Sequence, residues 1–122
     1  TRHVGFITNK YKLFLFGWNS RCQCGIKTQK QYIRSPKLLI IDADIETIKC
    51  GGHHNVIKTR DNEYYTFGWN HKNECLVHES NGQYIQKPHN ISHDFLQKKL
   101  KNNAKILDII PTNEQTLIIQ SL

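Results

Sequence analysis

The chain has 122 residues, 38% of them hydrophobic and 10% aromatic, with 17 Lys and Arg against 10 Asp and Glu for a net charge of +7. This length supports one domain with a real core and excludes two large independent ones. The apolar content argues against disorder, and no run approaches the roughly 18 apolar residues of a spanning helix. The positive balance raises polyanions as partners, although the charge is spread except for one dense patch at Lys98, Lys99, Lys101 and Lys105. No Met occurs, even at position 1, so the chain is expected to come from something longer. Without a charged and apolar leader, the expected location is intracellular, cytoplasm or nucleus, with no membrane contact.

In chain order, the first predicted element is an antiparallel hairpin, Val4 to Thr8 and Lys12 to Phe16 around a turn at Asn9 and Lys10. Its second strand runs into LFLFGWN at Leu13 to Asn19. The same ending returns as YYTFGWN at Tyr64 to Asn70, an offset of 51 (67 − 16). Extended backward, RHVGFITNKYKLFLFGWN lies over HHNVIKTRDNEYYTFGWN without a gap, placing His3 on His54, Phe6 on Ile57 and Phe14 on Tyr65. The second turn is then Arg60 to Asn62. Forward, NSRCQCG at Asn19 to Gly25 lies over NHKNECL at Asn70 to Leu76. A third copy appears at an offset of 61 (106 − 45), where IETIKCGGHHNVIKT lies over ILDIIPTNEQTLIIQ and Val56 falls on Leu117. The longer offset implies about ten extra residues between Glu79 and Lys105. Within them, the apolar spacing of Phe95, Leu96 and Leu100 predicts a short helix over His93 to Lys101, with Lys98, Lys99 and Lys101 on an exposed flank.

A Gly closing each second strand, Gly17 and Gly68, signals a positive φ or a place where no side chain fits. The Trp that follows, Trp18 or Trp69, can lie over a neighbouring hairpin as an apolar plate. A lone unit cannot bury both its faces, whereas stacked copies can.

These residues resemble the regulator of chromosome condensation repeat, whose blades build seven-bladed β-propellers. Its pattern runs Gly-Gly-x-His-Thr, a strand, a turn, an aromatic strand ending in Gly-x-Asn, and then Gly-Gln-Leu-Gly. The sequence GGHHNVIKTRDNEYYTFGWNHKNECL from Gly51 to Leu76 is similar to it, as is RHVGFITNKYKLFLFGWNSRCQCG from Arg2 to Gly25. The third copy is degenerate, with Thr112 and Asn113 for the Gly pair and Gln115 for the His. The resemblance leaves out Lys27 to Pro36 and the 79–105 insertion. It implies an all-β chain, a partial β-propeller with one short helical or loop insertion. Residues 1–44 would be a first repeat, 45–105 a second carrying the basic insertion 79–105, and 106–122 the start of a third. A ring of about 50 residues a blade needs on the order of 350 residues, so further blades are expected from a longer parent. By itself the chain is expected to be marginally stable or to self-associate, because its end hairpins leave edges and faces without neighbours.

The resemblance gives His3, Gly17, Trp18, Asn19, Gly25, Gly51, Gly52, His54, Gly68, Trp69 and Asn70 structural roles as the repeat motif, the His ring bonding backbone within or between blades. Four Cys and seven His invite a zinc site from Cys22, Cys24, Cys50, His53, His54, His71 and Cys75, but no Cys-x-x-Cys pair exists. Cys24 and Cys75 fall where the family has a buried Leu. Cys22 falls on a Gly position, matched in the second copy by Asn73, which tolerates left-handed backbone. No metal and no cofactor are expected. The sequon Asn90-Ile91-Ser92 means little without a secretory signal. No Ser or Cys with His and carboxylate repeats at a fixed spacing, so no catalytic residue is assigned and the chain is read as not an enzyme. The expected function is a protein-interaction module of a larger regulator, with a small GTPase or a ubiquitin-pathway component as partner and guanine-nucleotide exchange or ligase scaffolding as the parent's role. The alternative is nucleic-acid or chromatin binding through Lys98, Lys99, Lys101 and Lys105.

Overall fold

The structure, a computed structural model, describes residues 3–26, 28–77, 84–92, 105–113 and 115–121. Among them are β1 His3–Ile7, β2 Leu13–Trp18, β3 Tyr32–Leu38, β4 Ile45–Cys50, β5 His54–Thr59, β6 Tyr64–Trp69, β7 Tyr84–Asn90, β8 Ile106–Pro111 and β9 Thr116–Gln120. They form three antiparallel sheets in sequential order: β1-β2-β3, β4-β5-β6-β7 and β8-β9. We refer to these as the first, second and third sheets.

The hairpins form because alternating residues supply one inward face per strand, as in β2, where Leu13 and Leu15 are buried and Phe14 and Phe16 half-buried. Their turns are three-residue loops closed by Thr8 N–H to Lys12 O and Thr59 N–H to Glu63 O. Each ends on a left-handed residue, Tyr11 at φ 61° and Asn62 at φ 62°. Leu13, Leu15 and Cys24 of the first sheet pack on Ile57 and Phe67 of the second. Val56 and Tyr64 of the second pack on Ile109 of the third. Each sheet thus covers the face of the next, and the core is two inter-sheet seams.

Two strands lie where the resemblance stopped. Tyr32–Leu38 is the outer strand of the first sheet, and Tyr84–Asn90, inside the expected insertion, is the outer strand of the second. Each carries a Pro, Pro36 or Pro88, tolerated because an outer strand needs no donor on its free side. The predicted helix over 93–101, with Lys98, Lys99 and Lys101, lies outside the described residues.

Candidate interaction surface

The repeated Phe-Gly-Trp-Asn block shapes the loop after the second strand of each hairpin. Gly17 and Gly68 have φ of 107° and 112°. A Cβ on Gly68 would come 2.5 Å from His53 O and 2.8 Å from His54 Cα. Both reasons for glycine therefore hold at Gly68: the backbone is one that side chains avoid, and the space is taken. The pairing with the outer strand shifts register at this point in both sheets. The Asn of each block holds the loop, because Asn19 Oδ1 accepts from Cys24 N–H and Asn70 Oδ1 from Cys75 N–H, both at 2.9 Å. Cys22 and Asn73 are left-handed at φ 60° and 63°, followed by Gly25 and Leu76 at 66° and 58°. The Gly-like position proposed for Cys22 is therefore one in conformation too.

Cys24 and Cys75 are fully buried. Burial pushes the Cys24 thiol up to about 12 and raises that of Cys75 as well, which leaves both as neutral, unreactive thiols. Among the described residues no three or more His, Cys, Asp or Glu side chains are grouped so as to hold a metal.

Across each seam runs the same three-part chain of hydrogen bonds. His3 Nε2 lies 2.6 Å from Asn55 Oδ1, and Asn55 Nδ2 donates to Gln23 O at 2.6 Å. One seam on, His54 Nε2 lies 2.8 Å from Thr116 Oγ1, and that hydroxyl donates to Glu74 O at 2.6 Å. Because Asn55 and Thr116 spend their donors on the carbonyls, each must accept from the imidazole, so both rings carry the proton on Nε2. Burial lowers the pKa of His3, and that of His54 to about 4, which keeps both rings neutral. Each of these His rings thus meets a side chain of the next sheet, which passes the bond on to a loop carbonyl of the sheet that supplied the His, and the His54 ring also bonds the Gln115 backbone. Gly51 and Gly52 serve the second seam differently. A Cβ on either would meet Thr112 O at 2.5 Å or Asn113 O at 2.9 Å, and Gly52 N–H donates to Thr112 O.

This locking sets the outward residues of the same loops. The Arg21 guanidinium, from the first sheet's loop, lies 4.0 Å from the Trp69 ring centroid in the second and donates to Tyr84 Oη at 3.4 Å. Trp69 also packs on His71 and Tyr84, each at a ring separation of 5.3 Å. In the first sheet Trp18 meets Tyr32 edge-on at 6.4 Å. The result is a ridge of half-exposed aromatics with a cation fixed between two sheets. Of the basic patch, Lys105 is described: it is exposed, and its N–H donates to Ser121 Oγ.

The fold and these loops define stacked β-propeller blades. The Regulator of chromosome condensation (RCC1) repeat matches residues 12–57, and an RCC1 repeat-containing protein of Schizosaccharomyces pombe is 32% identical over 63 residues, 52% of this chain and 18% of that protein. Residues 12–57 thus carry a repeat of the regulator of chromosome condensation type. Among solved structures, Prp20p from Saccharomyces cerevisiae superposes with a TM-score of 0.76 at 20% identity, covering 96% of this chain and 28% of Prp20p. Human WBSCR16 does so with 0.75 at 19%, covering 98% and 29%. The chain thus spans less than a third of each of these relatives.

Proposed function

We propose that the chain is a protein-interaction module that meets its partner with the ridge of Trp18, Arg21, Tyr32, Trp69, His71 and Tyr84. The observation that carries this is Arg21, held on Trp69 and Tyr84 across a seam. Trp, Tyr and Arg are the side chains on which interface energy concentrates, and a contact already ordered by the scaffold loses little entropy on binding. The role fits regulators built on such propellers, whether in guanine-nucleotide exchange or as ubiquitin-ligase scaffolds, working in cytoplasm or nucleus. The structural work on Prp20p describes its binding to Gsp1p and histones, and yeast RCC1 (Prp20) has been crystallised with Kap60. Gsp1p and histones are therefore the first partners to test.

The test is calorimetric titration of each with the wild-type chain and with Arg21→Ala, Trp69→Ala and Lys105→Ala. Binding that weakens with the first two substitutions and not the third supports the ridge. A salt titration on duplex DNA covers chromatin binding through the basic residues: steep loss of affinity with salt, unaffected by Arg21→Ala or Trp69→Ala, would favour that reading instead.

A further inference from the structure

The described residues expose four Ser or Thr side chains: Thr28, Ser35, Thr47 and Thr112. Thr28 Oγ1 accepts from Lys30 N–H and Thr112 Oγ1 from Gln115 N–H, and Thr47 is tied into the pairing of β4 with β5 opposite Lys58. Ser35 is different. Its hydroxyl has no hydrogen-bond partner among the described residues. Its backbone lies in a bulge, because Leu15 pairs with Lys37 and Gly17 with Ile33, which leaves Arg34, Ser35 and Pro36 opposite Phe16 alone. The second sheet repeats the device, with Gln86, Lys87 and Pro88 opposite Phe67. Lys87 is exposed there although the second sheet has a sheet packed on each face. Exposure at this position therefore comes from the bulge on the outer strand, whichever sheets flank it.

The neighbours of Ser35 specify the chemistry. Pro36 restricts the residue before it to an extended backbone and offers no N–H of its own. An enzyme that grips this segment needs an apolar wall, and no carbonyl, at the position after the hydroxyl. Arg34 and Lys37 are exposed and form no ion pair among the described residues, and no Asp or Glu occurs from Trp18 to Ile41. A phosphoryl group on Ser35, with a charge of about −1.5 to −2, would meet cations and no carboxylate of its own segment.

We infer that Ser35 is a phosphorylation site for a protein kinase that selects Pro after the acceptor. The Ser35 oxygen attacks the γ-phosphorus of ATP, the bond from that phosphorus to the β–γ bridging oxygen breaks, ADP leaves, and the hydroxyl proton passes to the kinase's catalytic carboxylate. The product offsets the positive charge of Arg34 and Lys37 on the first sheet alone, since Lys87 at the matching place in the second has no hydroxyl to modify.

A purified proline-directed kinase of the mitogen-activated class, with ATP and the folded chain, tests this, the products being mapped by peptide mass spectrometry. The native chain should gain a single phosphoryl group, at Ser35, with an initial rate comparable to that of the free peptide QYIRSPKLL. Ser35→Ala should lose the label and Pro36→Ala most of it, with near-ultraviolet circular dichroism reporting that each is folded; the mapping on the wild type decides the site even where a variant does not fold. A native chain left unmodified while the free peptide is labelled would overturn the inference. So would a free peptide that takes no label, modification of another Ser or Thr in place of Ser35, or undiminished labelling of folded Pro36→Ala.

Discussion

Replacing Asn55 with Leu should uncouple the first two sheets. Asn55 is fully buried, accepts from His3 Nε2 at 2.6 Å and donates to Gln23 O at 2.6 Å. Leu is close in size, so the loss is mainly that of two hydrogen bonds, which strands a buried imidazole N–H and a loop carbonyl. Each stranded group costs about 1–3 kcal/mol, so the variant should lose about 2–6 kcal/mol, a large part of the roughly 5–15 kcal/mol that holds a typical domain. Urea unfolding followed by Trp fluorescence measures it, since Trp18 and Trp69 flank the seam. A cycle with His3→Leu sharpens the test. Removing both partners leaves only the carbonyl orphaned, so the double variant should be more stable than the sum of the single losses implies, by about 1 kcal/mol or more. Asn55→Leu unfolding at the wild-type midpoint, or strictly additive losses, would refute the seam as drawn.

Further expectations follow. Gly68→Val should destabilise by about 1–3 kcal/mol or more, through the left-handed backbone and the contact with His53 O; melting at the wild-type temperature would contradict it. Lowering pH from about 6.5 to 4 should weaken the fold by roughly 2–3 kcal/mol through His54, because the unfolded ring takes a proton over this range and the buried one does not. That loss should level off below about 4 and be missing in His54→Gln, as denaturant midpoints across pH will show. Cys24 and Cys75 should react slowly with a bulky thiol reagent in the native chain, and chelator should leave the melting point unchanged; unfolding by chelator would bring back a zinc site. Arg21→Ala should weaken partner binding by about 1–2 kcal/mol, close to tenfold, without moving the melting point by more than a degree or two.

The inner hairpins were legible because Phe-Gly-Trp-Asn recurs in register with its loop, and each element of that block answers a local need: positive φ at the Gly, a loop acceptor at the Asn, a small buried side chain at the Cys. The outer strands escaped for a simple reason. QYIRSPKLL at 31–39 does repeat as QYIQKPHNI at 83–91, but at an offset of 52 (84 − 32), because the loop before it is one residue longer in the second copy. A search at a fixed offset of 51 passes over it. The seam acceptors escaped for another reason, since Val4, Asn55 and Thr116 occupy one position with three side chains, and only the three-dimensional pairing shows that two of them do the same work. Tyr11 and Leu76 hold left-handed conformations usually given to Gly or Asn, so nothing in their identity announced a turn. Arg21 looked like one more dispersed charge until the stacking of the sheets set it on Trp69.

The most direct measurement of the ridge as the binding surface is a hydrogen-exchange footprint, with Gsp1p and then a histone complex added to the chain. Partner binding through the ridge should slow exchange at Trp18 to Gly25 and Trp69 to Leu76, with lesser changes at Tyr32 and Tyr84, and should leave β9 as it was. Slowed exchange confined to Lys105 and its surroundings, with both loops unchanged, would contradict it.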